Sequence, residues 1–106
     1  MTALPLFWAK KEVFAWLKTG TKTIDVRKGS PRTGSMTFFQ SGPNYLELSI
    51  VKKETGLLKE VIRQDNFKSI IPTATTLKEA IDYLQMIYGS DAGVFTAYYL
   101  AQTKKE

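Results

Sequence analysis

The sequence predicts an α+β fold: a small β-barrel or strongly curved sheet of about five or six mostly antiparallel strands, with two or three helices packed on it. Three observations carry that expectation. Short stretches rich in β-branched and aromatic residues are separated by clusters of Gly, Pro, Ser and Asn. Two segments show an apolar period near 3.6, and each is closed by a glycine. The 106 residues, 43% of them apolar, suffice for one domain with a real core and leave no room for a second.

Taken in order, Leu4 to Ala9 read as a short strand or lead-in, weakened by Pro5. Lys10 to Thr19 read as a helix, because Val13, Trp16 and Leu17 recur at i, i+3 and i+4 with lysines opposite, and Gly20 closes it. Thr21 to Lys28 alternate, placing Lys22, Ile24 and Val26 on one strand face and Thr23, Asp25 and Arg27 on the other. Gly29 to Gly34 form a turn-rich loop, Met36 to Phe39 a strand, Ser41 to Asn44 a turn, and Tyr45 to Val51 a strand broken by Glu54-Thr55-Gly56. Leu57 to Arg63 suggest a short helix, with Leu58, Val61 and Ile62 on one face. Thr76 and Glu79 match a capping box ahead of the stripe Leu77, Ala80, Ile81, Leu84 and Tyr88. Gly93 to Gln102 read as a buried final strand, and Lys104 to Glu106 as a frayed tail.

With neither cysteine nor histidine in the chain, disulfides, thiolate metal sites, cysteine nucleophiles and histidine acid/base catalysis are excluded. No cofactor and no metal are expected. Chemistry must come from Lys, Asp, Glu, Ser, Thr, Tyr or the backbone. No stretch reaches the ~18–20 apolar residues of a membrane span, and Met1 to Trp8 lack the marks of a signal peptide. The absence of cysteine suits a reducing cytosol, and a cytoplasmic monomer is expected.

The net charge of +5 is concentrated. Residues 10–32 hold seven basic side chains (Lys10, Lys11, Lys18, Lys22, Arg27, Lys28, Arg32) against Glu12 and Asp25, while the remaining 83 residues hold eight of each sign. A neutral body with one basic segment is the footprint of a nucleic-acid binder, or else of a solvated basic helix face.

Inside that segment stands Gly20-Thr21-Lys22-Thr23-Ile24-Asp25-Val26-Arg27. It resembles the Gly-x-Lys-x-x-Glu-x-Arg signature of ASCH domains, a branch of the PUA-like superfamily, with Asp25 at the usual glutamate position. The order of a helix before the motif, a glycine-bearing loop and strand after it, Ile70-Ile71-Pro72, a capped helix and a closing strand is similar to that family along nearly the whole chain. The resemblance implies a PUA-like barrel with a basic cleft, an RNA- or nucleotide-like ligand and a link to translation or RNA metabolism. Some small bacterial members are amidohydrolases that deacetylate acetylcytidine, through a lysine of this motif, a threonine three residues later and a distant glutamate. Lys22 matches that lysine, Asp25 stands at the threonine position, and residues 71–75 hold no glutamate.

The candidate site is therefore Lys22 and Arg27 at the cleft, with Lys28, Arg32 and the helix lysines Lys10, Lys11 and Lys18 meeting phosphates. Lys22 and Asp25 are the catalytic pair if the protein is an enzyme, either an amidohydrolase or a metal-dependent ribonuclease. Lys22 either snorkels to water beside an apolar face or lines a cleft floor. Asp25 and Arg27 suit a structural ion pair. Phe7, Trp8 and Trp16 are placed to stack on bases, though core packing suits Trp16 better and Trp8 is open. Phe38-Phe39 and Tyr98-Tyr99 are wall and core, one of each pair pointing out. A binding module leads the enzyme, and a protein-interaction module with an acidic partner stands third. A large concave pocket holding Lys22 beside a carboxylate would favour the enzyme.

Overall fold

The computed structural model describes residues 6–102. The order along the chain is β1 (Leu6–Trp8), α1 (Lys11–Thr19), β2 (Ile24–Lys28), β3 (Met36–Ser41), β4 (Asn44–Gly56), α2 (Leu58–Val61), α3 (Phe67–Ile70), α4 (Leu77–Tyr88) and β5 (Phe95–Gln102). The strands form one mixed, curled sheet in the order β1-β3-β4-β5-β2, an open half-barrel. Leu4, Pro5 and the expected tail from Lys104 lie outside the described residues.

Local chemistry accounts for most boundaries. Gly20 ends α1 in the left-handed region at φ +79°, its N–H donating to Leu17 O at 3.3 Å. The β3–β4 hairpin turns on Gly42-Pro43, with Gly42 at φ +58°, the first-position requirement of a two-residue II′ turn. Thr76 Oγ1 accepts from Glu79 N at 3.1 Å while Glu79 Oε1 accepts from Thr76 N, so the expected capping box forms.

Sheet curvature originates in β4. Its first half pairs with β3 and its second with β5, and the β4–β5 register slips by one residue between Ile50 and Lys52. The extra residue at Val51 is a bulge, which bends and further twists the strand. Expected here was a break at Glu54-Thr55-Gly56; instead β4 runs on through them, because β5 supplies partners as far as Phe95. Three further differences concern pairing and helix count. β1 pairs parallel with β3, β2 begins only at Ile24, and α3 brings the helices to four. Four residues are too few to show a helical period, which is why α3 is invisible in the sequence.

Curling splits the core in two. Inside the sheet, Phe7, Leu17, Phe39, Leu48, Ile50, Tyr98 and Leu100 pack together, with Val13 and Phe14 of α1 against them. On the other face, α2, α3 and α4 cover Ile24, Val26, Phe95 and Ala97 with Leu58, Ile62, Phe67, Ile70 and Leu84. Of the adjacent aromatics, Phe39 and Tyr98 are buried while Phe38 and Tyr99 are half-buried. Trp16, expected in the core, is only half-buried, its ring 6.4 Å from Tyr83 of α4.

Alternation along β1 yields a direct test. Phe7 is 3% exposed and its ring lies 5.5 Å from Phe39 and 5.1 Å from Tyr98, whereas Trp8 beside it is 65% exposed. Phe7→Ala should destabilise by about 3–5 kcal/mol and Trp8→Ala by no more than about 0.5 kcal/mol in denaturant unfolding. Similar losses in the two variants would place Trp8 in the core.

Candidate functional site: a buried charge chain at the open seam

The two outer strands of the half-barrel, β1 and β2, share no hydrogen bonds with each other. Residues 20–23 enter β2 under restraint: Lys22 N–H donates to Trp16 O at 3.0 Å and Thr23 N–H to Ser69 O at 3.0 Å. Lys22 thus precedes the strand instead of lying on it. Its side chain does not snorkel to water. It is 4% exposed, and its Nζ donates to Ile24 O at 2.8 Å and Ile70 O at 2.5 Å, 3.7 Å from Asp25 Oδ1.

Asp25, also buried, accepts from Arg27 Nε at 2.5 Å, so the expected Asp25–Arg27 pair forms. The Arg27 guanidinium lies over Phe7, 4.5 Å from the ring centre, and 5.7 Å from Phe39. It crosses the seam from β2 to β1 as a cation–π bridge. Burial drives the Lys22 pKa down to about 8, assisted by Arg27 and opposed by Asp25. Burial also works against the Arg27 charge, but Asp25 outweighs it and keeps that pKa above its ordinary value.

The free edge of β2 is closed by side chains. Lys22 Nζ takes the carbonyl of Ile24, and Tyr88 Oη donates to Val26 O at 3.0 Å. Burial pushes the Tyr88 hydroxyl up to about 12, so it stays a donor. Next to this edge is a cleft of about 90 Å³, lined by Trp8, Lys10, Lys22, Asp25, Arg27 and Tyr88 among others. A groove of about 230 Å³ lies alongside, lined by Phe7, Lys28, Ser30, Arg32 and Tyr98. Trp8 and Arg27 belong to both walls and form the ridge between them.

Of the candidate residues, Lys22, Asp25, Arg27, Lys10 and Trp8 meet at the cleft, and Lys28 and Arg32 at the groove. Lys11 and Lys18 are exposed on α1 and line neither. Phe7 seats Arg27 instead of offering a face to bases. Two contributors escaped the sequence reading. Tyr88 was legible only as the end of an apolar stripe, though a polar tip in that place asks for a partner. The Ile70 carbonyl, exposed by the end of α3, left no signal. Among the described residues no group of three or more metal-ligating side chains forms. No helix of the described residues is long and apolar enough to cross a membrane.

No family model matches the chain, and no curated protein matches it. Among solved structures, the crystal structure of hypothetical protein PH0355 superposes with a TM-score of 0.77, covering 95% of this chain and 100% of that one at 13% identity. That likeness establishes the architecture, a small α+β fold with a curled sheet, and extends to fold alone.

The lowered Lys22 pKa has a consequence for stability. Between pH about 8 and the ordinary lysine value of 10.5, the unfolded chain binds more protons at this position than the folded one. Stability contributed through Lys22 therefore rises with pH across that window. The neutral amine can still serve the carbonyls of Ile24 and Ile70. Lys22→Met strands both and should cost on the order of 1–3 kcal/mol at pH 7. The gap between wild type and variant, measured by urea unfolding, should then widen from pH 8 to 10. A gap independent of pH would mean that Lys22 is solvated like a surface lysine.

Proposed function

We propose that this protein is a PUA-like, ASCH-type domain that binds single-stranded RNA or a nucleotide-sized ligand across the β1–β2 seam, in the service of RNA metabolism or translation. The observation that carries the reading is the Trp8–Arg27 ridge. A tryptophan left 65% exposed between two depressions, with Lys10, Arg27, Lys28 and Arg32 in their walls, offers a stacking face flanked by cations. The cleft alone, at about 90 Å³, falls well short of the roughly 300 Å³ at which pockets begin to enclose a drug-sized ligand. It admits the edge of a base, while the rest of the ligand lies across the ridge.

An acetylcytidine amidohydrolase or ribonuclease is the second reading. In its favour, Lys22 sits beside a carboxylate in the cleft. Against it, the ammonium already donates to two carbonyls, and Asp25 offers no hydroxyl to a developing oxyanion.

Fluorescence anisotropy with a labelled single-stranded oligoribonucleotide tests the ranking. Neutralising about three to five phosphates predicts a log–log salt slope of roughly −2 to −3.5. Trp8→Ala should weaken binding by about 1–3 kcal/mol at fixed salt. Affinity indifferent to both salt and Trp8 would remove the binding reading. Acetylcytidine turnover by wild type, abolished in Lys22→Ala, would replace it with the enzyme.

A further inference from the structure

Arg27 is firmly held yet has hydrogen-bonding capacity left. Its Nε is committed to Asp25, its plane rests on Phe7, and its side chain is still 24% exposed. Among the described residues no acceptor meets either terminal nitrogen, and no buried side-chain nitrogen lacks a partner. Both terminal nitrogens therefore face space that solvent reaches. A guanidinium fixed in this way presents a planar two-donor fork, which matches two oxygens of a single phosphate.

A second guanidinium stands near the same ring. Arg32 lies 5.4 Å from the centre of Phe7, although it comes from the loop after β2. Its backbone is pinned on both sides: Arg32 N–H donates to Tyr98 Oη at 2.9 Å, and Lys53 Nζ donates to Arg32 O at 2.6 Å. The start of this loop is tied as well, Thr96 Oγ1 donating to Gly29 O at 2.8 Å. No carboxylate among the described residues pairs with Arg32, so its charge is uncompensated where Asp25 balances Arg27. Two like charges on one ring, with Lys28 and Ser30 in the wall of the groove beside them, leave a place for an anion.

We propose that Arg27 and Arg32 clamp a phosphoryl group in the groove on the far side of Trp8 from the cleft. The ligand is then a phosphate-bearing nucleotide whose base stacks on Trp8. This rests on the nucleotide-binding reading above and goes beyond it in assigning the phosphate its position and its two forks. A phosphate monoester has three unesterified oxygens, one more than a carboxylate, while a backbone phosphodiester has two, and each can accept from an N–H of either fork. The phosphoryl group can belong to a free nucleotide or to an RNA backbone, and the probes below separate the two.

The test uses the full chain labelled with 15N, following the Trp8 indole resonance, told from that of Trp16 by its absence in Trp8→Phe. The probes are adenosine, adenosine monophosphate, the dinucleotide ApA and its uncharged methylphosphonate analogue. Removing the charged phosphate should weaken binding about tenfold or more, as expected for a charge-assisted pair. The loss falls between the monophosphate and adenosine if a free nucleotide is the ligand, and between ApA and its analogue if a backbone is. Arg32→Gln should shrink that ratio to about threefold or less while leaving adenosine binding within about twofold. Lys11→Gln, which removes the same charge from the outer face of α1, should preserve the ratio. If adenosine shifts Trp8 but the phosphate adds nothing, the clamp is wrong and the nucleotide reading survives. If Lys11→Gln erases the ratio as fully as Arg32→Gln, only net charge is at work and the clamp is again wrong. If none of the probes moves Trp8, the nucleotide reading falls and the clamp with it.

Discussion

A buried carboxylate with a cation on each side organises this molecule. Asp25 lies 3.7 Å from Lys22 Nζ and 2.5 Å from Arg27 Nε. Taking Lys22 and Asp25 out of water, and part of Arg27 with them, costs several kcal/mol per buried ion, and well-packed apolar side chains of similar volume would hold the fold as well or better. What the ions supply is direction. Lys22 reaches the carbonyl at the end of α3 and so ties β2 to the helical layer. Arg27 reaches the opposite way, onto Phe7 of β1, and spans the gap that the sheet leaves open. One chain of charge thus runs from the helices to the barrel interior through a single five-residue strand.

The gap follows from how the sheet curls. A bulge at Val51 bends β4, and the two outer strands approach without pairing. Unpaired strand edges invite another strand, a hazard that short edges and covering side chains reduce. Here β1 has three residues, and Tyr88 and Lys22 occupy outward carbonyls of β2. The opening that remains sets Lys22, Asp25 and Arg27 among apolar residues such as Val13, Ile71 and Leu84, beside a tryptophan ridge with cations on both sides.

Much of this was legible in the residues themselves. Capping at Thr76-Glu79 and the glycine at position 20 mark α4 and α1 because each meets a specific backbone demand. The alternation from Ile24 to Arg27 correctly puts the Asp25–Arg27 pair opposite Ile24 and Val26. Lys22 was misplaced because a period-2 pattern cannot show where pairing begins, and the backbone at residues 20–23 is instead bound to α1 and α3. Charge density located the basic segment but not which of its members line the cleft and groove. Lys11 and Lys18 carry the same charge as Lys28, and only the curl of the sheet selects Lys28 for the groove. The seat of Arg27 on Phe7 was hidden for a similar reason, since 20 residues separate partners that only tertiary structure brings together.

Whether the open seam is where a ligand lies decides between these readings. Photo-cross-linking of a 4-thiouridine oligoribonucleotide to the full chain, followed by mass spectrometric mapping of the adducts, asks this directly. Adducts concentrated at Trp8 and in the loop from Gly29 to Arg32, suppressed by unlabelled RNA, are the predicted result. Adducts concentrated instead on the outer face of α1 around Lys11 and Lys18, or at the exposed Met86 of α4, with Trp8 unmodified, would contradict it.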